Sequence, residues 1–328
     1  MRSPLALLSV AVRLMAVAAA FALTSVTPTQ AAGATMPLVS VDWLKAHRTD
    51  ADLVVLDIRS AIDGGGSEAY AKAHIPGAVH SDYDKAGWRV TRNGIPFSLP
   101  STAELEKLIG ELGIDEDSRV VVVPAGVSAN DFAAAARVYW TLRVAGLTQV
   151  SILDGGFAAW TSDRANSVES GTNPPSPKIY TATIDHSIIA ATPDVEQAER
   201  DNGAALVDAR PASFFLGRDK AAQVQAYGHI DHAINIDHAS FYDPASNRLR
   251  PKNELAEIAA RVPAGPAITY CNTGHWAATD WFVLSELLGR QARLYDGSMV
   301  AWSADAHRPV VSSRTKWDDL KRALGLGG

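Results

Sequence analysis

Leu53-Val54-Val55-Leu56-Asp57-Ile58-Arg59 returns about 150 residues later as Ala205-Leu206-Val207-Asp208-Ala209-Arg210. Two further blocks return in the same order. His74-Ile75-Pro76-Gly77-Ala78-Val79 is matched by His229-Ile230-Asp231-His232-Ala233-Ile234. Leu153-Asp154-Gly155-Gly156-Phe157-Ala158-Ala159-Trp160 is matched by Tyr295-Asp296-Gly297-Ser298-Met299-Val300-Ala301-Trp302. Blocks that keep their order over such a distance mark a duplicated domain, not a short solenoid repeat. Between the copies, residues 162–178 are rich in Ser, Asn and Pro, including Pro174, Pro175 and Pro177, and read as a linker. The expected organisation is a first domain over residues 35–161, the linker, and a second domain over 179–328.

Each copy alternates short apolar runs with helical patterns. Val120 to Val123 and Val150 to Leu153 read as buried strands, with a helix over Ala133 to Val144 between them. Continuous β-branched runs fit a parallel sheet covered on both faces. The alternation predicts an α/β fold with right-handed crossovers, in which ligands bind beyond the carboxyl ends of the strands.

Cys271, the single cysteine of the 328 residues, falls at such an edge. Ala267 to Tyr270 reads as a buried strand, and Trp281, Leu284, Leu287 and Leu288 as the apolar face of a helix. The cysteine is thus expected in a strand-to-helix loop, where backbone N–H groups and a helix N-terminus favour thiolate over thiol. The far N-terminus makes a lone thiol more notable. Arg2 and Arg13 precede an apolar stretch, Leu14 to Val26, too short to span a bilayer, and small residues follow. This is the layout of a signal peptide over residues 1–34, predicting a periplasmic or secreted protein. Exported proteins usually pair their cysteines, and one cysteine has no intramolecular partner.

Composition is that of a water-soluble chain, 47% hydrophobic and 20% charged. A formal net charge of -6 and a pI near 5.8 argue against nucleic acid as a partner. No stretch after the signal is suited to stable membrane association.

The repeated blocks and the cysteine loop together resemble the rhodanese family of sulfurtransferases in its tandem-domain form. The resemblance implies two rhodanese-like domains, each a parallel-sheet core flanked by helices, with the nucleophile in the second. The first copy agrees in having no cysteine in its loop, Pro124 to Asn130, where Ser128 is aligned with Cys271. The implied chemistry is ping-pong. A Cys271 thiolate takes a sulfane sulfur from thiosulfate or 3-mercaptopyruvate and becomes a persulfide, which a thiol or cyanide then discharges. No metal or organic cofactor is required. The alternative is a non-catalytic persulfide carrier that delivers sulfur to an unknown protein acceptor.

Arg210, Asn272, Thr273, Gly274, His275, Trp276 and Ala277 are the expected substrate-binding residues. Arg210 can grip a carboxylate or sulfonate bidentately, or form a structural ion pair with Asp208. Thiosulfate-preferring members resemble Cys-Arg-Lys-Gly and mercaptopyruvate-preferring members Cys-Gly-Ser-Gly. The order here, Cys271-Asn272-Thr273-Gly274, lacks the basic pair and offers a hydroxyl at Thr273. His275 could add positive charge below about pH 6.5, as could an arginine elsewhere such as Arg218. Trp276 reads as a wall or lid. Dual-specificity phosphatases of the same fold need an arginine six residues after the cysteine, and Ala277 stands there. His229, His232 and His238, with Asp231 and Asp237, match no common metal spacing and read mainly as a structural turn.

Overall fold

A computed structural model describes residues 36–313 and 315. The expected signal segment lies outside the described residues. Two five-stranded, all-parallel sheets form the framework. The first runs, in spatial order, Leu38–Val39, Val150–Leu153, Arg119–Val123, Leu53–Asp57 and Val79–His80. The second runs Ile234–Asn235, Ala205–Asp208, Ala267–Tyr270, Ala292–Tyr295 and Ile189–Ala190. Their central strands are buried along nearly their whole length, as double-sided cover requires. Among the described residues no helix is long and apolar enough to cross a membrane.

Strand register fixes how the repeats correspond. Asp57 pairs with Val123, and Asp208 with Tyr270. One residue further on, Phe157 N–H donates to Pro124 O (2.8 Å), and Met299 N–H to Cys271 O (3.0 Å). Pro124, not Ser128, is therefore the counterpart of Cys271. Ser128 instead caps the Ala129–Val144 helix, accepting from Asp131 N–H. That cap starts the helix four residues before the apolar pattern does.

The recurrent histidines are architectural. His74 Nδ1 bonds Tyr70 O and its ring stacks on Tyr70; His229 Nδ1 bonds Phe215 O and stacks on Phe215. The turn after each keeps its shape. Gly77 takes φ 81° and His232, in its place, φ 60°. Among the described residues no three His, Cys, Asp or Glu side chains converge as metal ligands.

The repeats share one core. Phe132 and Tyr139 of the Ala129–Val144 helix pack edge-on against Phe282, and Tyr139 donates to Glu286 (2.6 Å). The proline-bearing segment is strapped to the first repeat. Glu169 bridges His74, Asn173 reaches Ala78 O, and Lys178 N–H donates to Gly110 O.

Candidate active site

Cys271 leaves the carboxyl end of the Ala267–Tyr270 strand and is 1% exposed. The loop after it is held from three directions. Ser298 Oγ accepts from Cys271 N–H and Gly274 N–H, both at 3.0 Å, and donates to Tyr295 O. Ser298 serves this from a left-handed backbone, φ 48°, that a serine seldom adopts. Arg137, fully buried on the first repeat's long helix, donates to Gly274 O (3.1 Å) and pairs with Asp296. Gly274 has φ +72°, and a Cβ there would press on Arg137 Nη1 and on Asp296 O at 2.9 Å, so a side chain at this position is strained. Ala277 is buried at the start of the Ala277–Trp281 helix, and its carbonyl accepts from Thr269 Oγ1. The next turn, Phe282–Leu287, is π-helical.

The third hold is a polar chain between the repeats. Asn130 Oδ1 accepts from Trp276 Nε1–H (2.8 Å) and lies 3.0 Å from His275 Nε2. An indole N–H can only donate, so the Asn130 atom is an acceptor and His275 carries its proton on Nε2. His275 Nδ1 is then the acceptor for the Tyr83 hydroxyl at 2.7 Å. Burial, then the charges of Arg89, His238 and Arg137, holds the His275 pKa well below its ordinary value. Burial likewise pushes Tyr83 up to about 12, so it remains a donor. The expectation that His275 adds positive charge is corrected: it is a neutral link. Trp276 forms a wall, stacked on His238 and meeting Phe214 edge-on.

Arg210 forms the ion pair with Asp208, the second of its two expected arrangements. It is 1% exposed and bound through Nε and Nη2 to Asp208, with Nη2 also donating to Gly228 O. Burial alone would lower its pKa, but the Asp208 carboxylate raises it above the ordinary value. Arg59 repeats the arrangement with Asp57 and Ala73 O. Among the described residues, Arg210 hydrogen-bonds to the site through Asn272, with Nη1 3.4 Å from its Oδ1.

A cavity of about 110 Å³ opens at the thiol, lined by Arg89, Asn130, Cys271, Asn272, Thr273, His275 and Trp276. Two of these residues come from the repeat without a cysteine. Arg89 and Asn130 belong to no repeated block, so the sequence carries no internal signal for them. Ser298 had one: it replaces Gly156 in an otherwise matching Asp-Gly block.

A duplicated parallel α/β domain presenting a single buried thiol at a strand end is a cysteine-dependent two-domain architecture. A rhodanese-like domain profile matches residues 40–163 and again 192–305, and the chain belongs to that family. It is 30% identical over 280 residues to the 3-mercaptopyruvate sulfurtransferase of Escherichia coli strain K12, covering 83% of this chain and 96% of that one. It is 31% identical over 284 residues to the thiosulfate sulfurtransferase of Corynebacterium glutamicum, covering 83% and 89%. The crystal structure of the 3-mercaptopyruvate enzyme SseA of Escherichia coli superposes with a TM-score of 0.69 at 28% identity, covering 80% of this chain and 99% of that one.

Proposed function

We propose that this chain is a sulfurtransferase in which Cys271 takes sulfur from 3-mercaptopyruvate, with thiosulfate the poorer donor, and passes it to a thiol or cyanide. The thiolate attacks the donor sulfur, the carbon–sulfur bond breaks, and the enolate of pyruvate leaves and is protonated. The acceptor then attacks the outer sulfur of the persulfide and the thiolate is restored. The carrying observation is Cys271 in the lining of a small cavity of about 110 Å³. That size favours small donors and acceptors. The loop offers Thr273 where thiosulfate-preferring members carry a basic residue, and neither Arg210 nor His275 supplies a second positive group.

Cys271→Ser tests the assignment. The two side chains are nearly isosteric, so the fold should hold while sulfur transfer is abolished. After donor treatment, mass spectrometry should find one added sulfur on Cys271, and steady-state turnover should separate catalysis from stoichiometric loading. Full activity in the serine variant would exclude this nucleophile. We further propose export, on the strength of Arg2, Arg13 and the apolar run after them. N-terminal sequencing of protein from the native host checks this, and an intact Met1 on cytosolic protein would reject it.

A further inference from the structure

The cavity at Cys271 holds one arginine, and it comes from the other repeat. Arg89 is nine-tenths buried, with 10% of its side chain exposed. Its guanidinium lies 4.2 Å over the Tyr83 ring and 5.0 Å from that of Phe97. Nη2 donates to Asp84 Oδ1 at 3.1 Å. Its Nε–H is buried and has no hydrogen-bond partner among the described residues. A buried, unpaired donor on a charged group is costly, and such groups are nearly always satisfied. Arg89 lines the cavity beside Cys271, so its guanidinium is the cation that a molecule entering there would meet.

The neighbouring cations are committed elsewhere. Arg210 is bound to Asp208, Arg137 is paired with Asp296 and lies outside the lining, and His275 is neutral. One guanidinium, already shared with Asp84, matches one negative charge and not two.

Resting on the sulfurtransferase reading, we infer that Arg89 is the anion-binding residue of the Cys271 site and selects a small donor carrying a single carboxylate, such as a 2-oxo-3-thiol acid, over a dianion. A carboxylate entering the cavity meets this planar guanidinium, whose fork fixes the donor's orientation.

Because Cys271 is the chain's single cysteine, alkylation of the intact protein reports on one sulfur. Iodoacetate and iodoacetamide are close in shape and differ by one charge. In Arg89→Gln the ratio of their rates should fall roughly tenfold, the loss of one charge-assisted contact. The iodoacetamide rate itself should change little. The KM for 3-mercaptopyruvate should rise by a similar factor, with a smaller change in kcat. Asp84→Asn, which frees the guanidinium, should raise the iodoacetate ratio, and this variant decides the matter if Arg89→Gln does not fold. An unchanged ratio in either variant overturns the inference. If the ratios move as expected but no donor yields a persulfide, Arg89 stands and the sulfurtransferase reading falls.

Discussion

The loops after the two central strands solve the same problem with different atoms. In the first repeat the chain leaves the strand at Pro124, and the Asp131 carboxylate accepts from the amides of Ala125, Gly126 and Val127. In the second it leaves at Cys271, and the neutral Ser298 hydroxyl accepts from Cys271 and Gly274. Burial raises Asp131 to about 6 despite its three amides, so near neutral pH a carboxylate fills the first loop. A carboxylate beside Cys271 would oppose a thiolate and its persulfide; a hydroxyl holds the loop without adding charge. At the matching corner the first repeat has Gly156 at φ +57° and the second has Ser298 at φ 48°. The second repeat thus accepts backbone strain of about 1–2 kcal/mol for that hydroxyl. The first repeat, which has no cysteine, places Tyr83, Arg89, Asn130 and Arg137 around its neighbour's cysteine loop.

The largest effect probes what the repeats share. Arg59→Ala and Arg210→Ala each strand a buried aspartate, Asp57 or Asp208, and each should destabilise the fold by about 3–5 kcal/mol. Denaturant unfolding of both variants checks this. Near-wild-type stability in Arg210→Ala, with activity lost, would separate the two arginines and return Arg210 to the substrate.

The next probes where they differ. Ser298→Gly makes the second corner resemble the first. It eases the left-handed backbone but leaves two loop amides without their acceptor. Leaving each buried amide unpaired costs about 1–3 kcal/mol, which relief of the backbone strain offsets only in part, so thermal stability should fall modestly and kcat/KM roughly ten- to a hundredfold. Wild-type kinetics in this variant would mean that the hydroxyl has no part in shaping the cysteine loop.

What the sequence shows and hides follows from the same contrast. The Ala267–Tyr270 strand and the cysteine's place at its end are legible because β-branched and aromatic burial is local. The helix beyond is read with ordinary spacing, but Phe282–Leu287 is a π-turn, and Leu287 and Leu288 end up half-buried while Trp281 and Leu284 are sealed. The counterpart of Cys271 is misplaced by loop similarity, since Ser128 resembles a nucleophile but caps a helix; only register identifies Pro124. Arg89 and Asn130 are hidden because they meet the cysteine loop across the interface between repeats, a contact no repeat pattern encodes. The role of Arg210 is hidden differently: the Asp-x-Arg motif is visible, but whether its guanidinium faces a donor or Asp208 is a matter of packing.

The smallest effect at neutral pH belongs to His275, which ties the repeats together while uncharged. Its folded-state pKa lies well below its ordinary value, chiefly through burial and then the Arg89 guanidinium. The unfolded chain takes up a proton near pH 6.5, while the folded protein resists it. The histidine's contribution is therefore full above that pH and declines as the pH falls below it. His275→Gln keeps a donor for Asn130 and an acceptor for Tyr83 but cannot titrate. The difference in unfolding free energy between wild type and His275→Gln should be constant above about pH 7 and should shift against wild type from about pH 6.5 downward. The pH dependence of kcat/KM should show no inflection in wild type that the glutamine variant lacks, since a neutral link contributes no titrating charge to the cavity. A stability difference that stays flat down to pH 5, or an acid-side inflection lost in the variant, would mean that His275 takes up a proton in the folded protein. The cavity would then carry a second positive group, and the preference for a monoanionic donor would lose its electrostatic basis.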